Sequence, residues 1–216
     1  MDRNDIIKQI EDIGIVPVVR AASSDEAMRA IDAIKEGGIS VLEITMTVPG
    51  AVRVIEEVCK RYGKDATVGA GTVLDPETAR ICMLSGAQFI VSPALNLDTI
   101  AMCRRYGVPI MPGALTPTEV ITAWTAGADF VKVFPAGSVG GAGYIKNLLG
   151  PLPQVKIVPT GGVSLKTAAD FIKAGARALG VGTDLVDVKA IRAGEAHVVT
   201  ERAKQFVEIV REARAS

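Results

Sequence analysis

The chain has 216 residues and a mass of 22.6 kDa, enough for one domain around one substantial core. It is 49% hydrophobic but has only five Phe, three Tyr and one Trp, so that core must be built mainly from Val, Ile, Leu, Ala and Met. Twenty-four Lys plus Arg balance twenty-four Asp plus Glu, with no long run of either sign, which excludes the basic footprint of a nucleic-acid partner.

Hydrophobic periodicity predicts a strict alternation of elements. A short helix in the charged opening segment precedes a strand at 15–20. Helix 24–36, strand 40–47, helix 51–62, strand 67–72 and helix 76–85 follow. Strand 89–94, helix 97–106, strand 108–113, helix 117–126 and strand 130–135 continue the series. Helix 142–149, strand 156–161, helix 165–174, strand 178–183, helix 187–193 and a last helix at 197–214 complete it. Ser24, Asp75, Thr116 and Ser164 are expected to cap helices, with Pro76 and Pro117 in first turns. Repeated Gly-Ala pairs, as at Gly86-Ala87, Gly127-Ala128 and Gly175-Ala176, close one helix before the next strand.

Eight such units predict a single (β/α)₈ TIM barrel over residues 1–216, with an additional N-terminal helix and a C-terminal helix. An open doubly wound sheet is the competing fold, but no strand is followed by GxGxxG. The opening MDRNDIIKQIEDIG holds no apolar stretch of signal-peptide length, and later apolar runs are broken by Gly or Pro. A cytoplasmic protein without membrane contact is therefore expected. Cys59, Cys82 and Cys103 lack CxxC or Cys-His spacing and read as reduced thiols.

In such a barrel, function collects at the C-terminal ends of the strands. Two charges interrupt otherwise apolar strands: Glu43 in Val41–Thr47 and Lys132 in Phe130–Pro135. A structural ion pair is one explanation; catalysis is the other. Arg20, Thr45, Thr47 and Thr72 at neighbouring strand ends favour catalysis, since a plain core has no use for so many donors around one mouth. A neutral lysine amine attacks ketones to give a protonated Schiff base, and a nearby acid–base residue must move the protons. Lys132 is the expected nucleophile and Glu43 the expected proton shuttle. His197 is the sole histidine, so no multi-histidine metal site and no serine–histidine machinery is expected.

Gly161 and Gly162 after the seventh strand, with Gly182 and Thr183 after the eighth, form an expected phosphate site from backbone amides and a hydroxyl. Asp184 beside them is an objection unless its side chain turns away. Pro93 and Phe134 are expected in the pocket wall. The glycine-rich segment 136–143 either encloses substrate or moves in solvent.

The ordered segments Val41-Leu42-Glu43-Ile44-Thr45, Gly69-Ala70-Gly71-Thr72, Val91-Ser92-Pro93, Met111-Pro112-Gly113, Val131-Lys132-Val133-Phe134-Pro135-Ala136 and Pro159-Thr160-Gly161-Gly162 closely resemble the 2-keto-3-deoxy-6-phosphogluconate (KDPG) and 4-hydroxy-2-oxoglutarate (KHG) aldolases. The resemblance covers nearly the whole chain. It implies a metal-independent class I aldolase that needs no cofactor and splits a phosphorylated 2-keto acid reversibly into pyruvate and glyceraldehyde 3-phosphate. It also implies Entner–Doudoroff or uronate metabolism and a homotrimer. It places the Schiff base on Lys132, proton transfer on Glu43, phosphate contacts on Gly161, Gly162 and Thr183, and Thr72 near the pyruvate carboxylate. Some members carry an arginine where this chain has Thr47, which leaves Thr47 as pocket wall and gives the carboxylate grip to Arg20. Activity on 4-hydroxy-2-oxoglutarate or on the galactonate epimer stays open. A phosphosugar isomerase or epimerase, and a noncatalytic metabolite-binding barrel, are the alternatives from other classes.

Overall fold

The computed structural model describes residues 2–215. Helix α1 (Arg3–Ile13) precedes β1 (Ile15–Val19), α2 (Ser24–Glu36), β2 (Val41–Thr45), α3 (Ala51–Tyr62), β3 (Thr67–Gly71), α4 (Pro76–Leu84) and β4 (Phe89–Val91). Then come α5 (Leu97–Arg105), β5 (Ile110–Met111), β6 (Gly113–Ala114), α6 (Pro117–Thr125), β7 (Val131–Val133) and α7 (Gly141–Leu149). The chain ends with β8 (Ile157–Pro159), α8 (Ala168–Lys173), β9 (Leu179–Val181), α9 (Val188–Arg192) and α10 (His197–Ala215).

This is an α/β fold in which every strand pairing is parallel. One sheet runs β5-β4-β3-β2-β1-β9 and a second runs β6-β7-β8. The strand expected at 108–113 is split into β5 and β6 at Pro112, which has no N–H to give to a ladder. Its carbonyl still accepts from the Lys132 N–H at 2.9 Å. Between β8 and β9 there is a single parallel bridge, Thr160 to Gly180.

Helix boundaries follow the capping chemistry. Asp75 accepts from the Thr78 N–H ahead of Pro76, and Thr116 forms a reciprocal capping box with Glu119 ahead of Pro117. Two expected caps are corrected. Ser23, with extended backbone, caps α2 by accepting from the Glu26 N–H, while the Ser24 hydroxyl donates to the Pro49 carbonyl. Ser164 caps no helix: residues 164–167 form a turn in which the Ser164 N–H donates to Thr167 Oγ1, and α8 starts only at Ala168.

Strand side chains alternate between two apolar cores, as the period of two requires. Ile15, Leu42, Ile44, Val68, Ala70, Ile90 and Val131 face the helices in the larger core. Val16, Val41, Phe89, Val91, Met111, Phe130, Val158 and Ala178 form the smaller one, joined by Ile6 and Ile10 of α1. The first helix thus closes the N-terminal end of the strands. Gln9 pins it there, donating to Ser40 Oγ at 3.2 Å and accepting from the Thr67 hydroxyl, and Arg3 pairs with Asp129.

Ile10 is fully buried at this closure. Ile10→Ala is expected to lower the unfolding free energy by about 2–5 kcal/mol in urea titration; a loss under about 1 kcal/mol would mean that α1 does not seal this core.

Candidate active site

Glu43 lies two residues after Val41, and Lys132 two after Phe130, so both share the face of the smaller core. They are 1% and 4% exposed. Glu43 is opposite Val18 of β1 and Gly69 of β3; Lys132 is opposite Gly113 of β6 and Val158 of β8.

Among the described residues no hydrogen bond or ion pair joins Glu43 to Lys132, and Glu43 Oε1 has no hydrogen-bond partner. A structural ion pair is therefore not what this arrangement builds. Lys132 Nζ instead lies 5.5 Å from the centre of the Phe134 ring. Burial pushes the Glu43 carboxyl above the usual carboxylate range, against the pull of the Lys132 and Arg20 charges. Burial also pushes the Lys132 ammonium below its ordinary range; the Glu43 charge opposes this and Arg20 adds to it. Each residue is shifted toward its neutral form, as an amine nucleophile and a proton donor–acceptor require.

Above these charges a cavity of about 150 Å³ opens at the C-terminal ends of β1, β8 and β9. Six of the residues expected at the site line it: Arg20, Phe134, Gly161, Gly162, Gly182 and Thr183. Arg20 is exposed and its guanidinium has no hydrogen-bond or ion-pair partner among the described residues. Gly161 and Gly162 have φ of 83° and 79°, a left-handed pair that side chains disfavour. Their turn is held from two sides. Thr167 Oγ1 donates to the Gly162 carbonyl at 2.9 Å, and the Gly137 N–H donates to the Gly161 carbonyl at 2.9 Å.

Segment 136–143 is accordingly neither a free loop nor a detached lid. It forms a 3₁₀ turn (Ala136–Val139) docked on the glycine pair and then enters α7. Buried Glu26 ties two further segments together. Its carboxylate accepts from Arg192 Nε at 2.8 Å and Nη2 at 3.1 Å, and from the Ala22 N–H at 3.5 Å. The Arg192 hydrogen bonds hold its carboxyl below the usual range. The stretch after Arg20 is thereby fastened to the helix that follows Thr183.

Five expected residues are outside the cavity lining: the buried pair Glu43 and Lys132, and Thr47, Pro93 and Thr72. Thr47 is exposed in a turn, its hydroxyl 2.6 Å from that of Thr45, whose own proton goes to the Val19 carbonyl. Pro93 packs its backbone against Gly113. Thr72, half-buried at the end of β3, has φ of 59° and is the sole non-glycine with positive φ among the described residues. A β-branched residue there costs about 1–3 kcal/mol of strain, which the surrounding contacts must hold in place.

Val18, Thr160 and Val163 also line the cavity and were not expected; Asp184, the expected objection, does so as well. The signal for Val18 and Thr160 was present in the sequence. Val18 precedes Arg20 by two, and Thr160 follows Val158 by two, so both fall on the inner face. His197 is exposed at the start of α10. No three His, Cys, Asp or Glu side chains among the described residues are grouped to hold a metal ion. No helix among them is long and apolar enough to cross a membrane. A cavity of about 520 Å³ at the opposite end of the strands is bordered by Glu11, Asp12, Arg177 and Arg214, and the Arg214 guanidinium there is spent on three backbone carbonyls.

A model of the KDPG and KHG aldolase family matches residues 6–202. The chain is 35% identical over 209 residues to the 2-dehydro-3-deoxy-phosphogluconate aldolase of Treponema pallidum, covering 95% of this chain and 97% of that one. It is also 35% identical over 201 residues to the 2-dehydro-3-deoxy-6-phosphogalactonate aldolase of Escherichia coli, covering 92% and 95%. The crystal structure of the KDPG aldolase of Legionella pneumophila, with pyruvate captured as a covalent carbinolamine, superposes with a TM-score of 0.85 at 28% identity, covering 92% of this chain and 96% of that one.

Because the Glu43 carboxyl is raised, its charged form opposes folding once pH exceeds the ordinary glutamate value of about 4.3. Glu43→Gln is expected to stabilise the protein, with a gain that grows as pH rises from that value toward the raised one. Denaturant midpoints of both proteins across this window check the sign; a gain independent of pH would contradict it.

Proposed function

Because this chain belongs to the KDPG and KHG aldolase family, we propose that it cleaves 2-keto-3-deoxy-6-phosphogluconate reversibly into pyruvate and glyceraldehyde 3-phosphate, with Lys132 as the amine that bonds to substrate. The enzyme is a class I aldolase, a carbon–carbon lyase whose electron sink is a lysine imine and not a metal. The observation that carries the reading is the isolation of Lys132: buried, shifted toward the neutral amine and free of any direct ion pair among the described residues.

In this reading, neutral Lys132 Nζ adds to the C2 ketone to give a carbinolamine; protonated Glu43 gives its proton to the departing hydroxyl, which leaves as water, so that the imine is protonated and Glu43 is a carboxylate. Glu43 takes the proton from the C4 hydroxyl as the C3–C4 bond breaks. The bond electrons pass into the imine, leaving an enamine while the aldehyde departs. Glu43 returns the proton to C3, and water releases pyruvate from Lys132. Gly161, Gly162, Gly182 and Thr183 receive the 6-phosphate through backbone amides and a hydroxyl, and Phe134 walls the pocket. Thr72 sits toward the pyruvate carboxylate.

Arg20 takes the substrate carboxylate in the reading that follows from Thr47. Its place in one cavity with the glycine pair and Thr183 favours a second reading, in which its fork joins the phosphate cradle. We assign the two sheets to one closed (β/α)₈ barrel, supported by the one-residue gap at Pro112 and the Thr160–Gly180 bridge, over a single domain of residues 1–216. Leu74, Ile81, Leu84, Leu97 and Trp124, all more than 40% exposed, are the apolar surface we give to a cytoplasmic homotrimer. Equal identity to a gluconate-series and a galactonate-series relative leaves stereochemistry to the assay.

Pyruvate release is to be measured on the 6-phosphates of 2-keto-3-deoxygluconate and 2-keto-3-deoxygalactonate and on 4-hydroxy-2-oxoglutarate. Release is expected from the gluconate substrate, and Lys132→Ala is expected to lose on the order of 10⁴-fold or more. Isomerisation of a phosphosugar without pyruvate release would replace the reading. For Arg20→Lys, a rise in KM of about 10-fold is expected. A rise shared by phosphorylated and unphosphorylated substrates assigns Arg20 to the carboxylate; a rise confined to the phosphorylated ones assigns it to the phosphate; no rise removes it from both.

A further inference from the structure

We infer that Gly71 is a positioning residue for the acid–base carboxylate, because the side chain it lacks is the space that the Glu43 head group fills. A Cβ at Gly71 would lie 1.9 Å from Glu43 Oε1, 2.6 Å from Cδ and 2.8 Å from Cγ. All three nearest atoms belong to Glu43, and separations this short cannot exist. Gly71 lies next along β3 on the face that holds Gly69, the residue opposite Glu43 in the register.

Backbone conformation does not explain the glycine, since Gly71 is absent from the positive-φ residues. Any L-residue could adopt this backbone; none could share the space. Retreat is blocked as well, because β3 is buried throughout and the Gly71 carbonyl accepts the Met46 N–H at 2.8 Å. Nor does a hydrogen bond hold Glu43 Oε1, which is buried without a partner. Steric contact with a bare stretch of backbone is what limits that oxygen on the β3 side. Gly69 serves another end: its vacant Cβ position is filled by the Phe89 ring, at 2.4 Å. One strand therefore uses two glycines on one face, the first to admit an aromatic ring and the second to admit a carboxylate.

The inference rests on Glu43 moving the protons of the proposed reaction. Its test is a cycle of Gly71→Ala, Glu43→Gln and the pair, followed by pyruvate release across pH, with Gly69→Ala as a steric control on the same strand. Gly71→Ala is expected to lose about 100-fold in kcat, the lower range of an acid–base contribution, with KM little changed and the Glu43 limb of the pH profile gone. In the Glu43→Gln background the same change is expected to cost about twofold or less. Gly69→Ala is expected to lower the denaturation midpoint and keep the pH profile. Should Gly71→Ala fail to fold, adding Glu43→Ala removes all three clashing atoms and is expected to restore folding. A wild-type kcat in Gly71→Ala, an undiminished loss in the Glu43→Gln background, or a folding defect that Glu43→Ala does not relieve would each overturn the inference. Failure of the underlying reading has its own signature, a wild-type enzyme that releases no pyruvate, and the stability arm of the cycle stands independently of it.

Discussion

Two opposite charges buried on one inner face, without touching, set the terms for the rest of this structure. Each is costly to remove from water, and the cost of a direct pair in contact is partly returned by Coulomb attraction that here acts only across a gap. The cost is met instead by shifts toward neutrality, Glu43 upward and Lys132 downward, with burial the leading cause of both. The same shifts are what an amine nucleophile and a proton shuttle need. A more stable arrangement, with apolar side chains at both positions, would have no chemistry.

The surrounding elements place these charges next to residues that border the cavity, Lys132 two before Phe134 and Glu43 opposite Val18. Helix α1 seals the N-terminal end of the strands with Ile6 and Ile10, so the opening lies at the other end. There the backbone does much of the work. Gly161 and Gly162 adopt left-handed conformations and the Ala136–Val139 turn packs directly on them. Glu26 and Arg192 fasten the stretch following Arg20 to the helix following Thr183, so the two polar borders of the cavity are tied to each other. Gly71 leaves room for the carboxylate, and Thr72 beside it carries the backbone strain.

Most of this order was legible in the sequence because one signal, the period of hydrophobicity, carries both element type and facing. Glu43 and Lys132 stood out as charges within apolar runs, and the structure buries both on one face. Arg20, Phe134, Gly161, Gly162, Gly182 and Thr183 were found from their places at strand ends, and they do line one cavity. The misreadings have local causes. Ser23 and Ser24 are equivalent as capping chemistry, and only the backbone angles decide between them. Pro112 splits a strand that hydropathy reads as continuous. Val18 and Thr160 face the cavity by the same period that identified Glu43, but one is apolar and the other flanks a more conspicuous glycine pair. Thr47 and Pro93 were placed in the wall by their position after a strand, whereas turn geometry directs the first to Thr45 and packs the second on Gly113.

The central claim is that Lys132 forms a covalent imine with the 2-keto acid product. Borohydride reduction in the presence of pyruvate, followed by peptide mass analysis, tests it most directly. The account predicts one reduced pyruvyl adduct located on Lys132 and absent from Lys132→Ala. Protein left unmodified under these conditions, or an adduct on a different lysine, would contradict it.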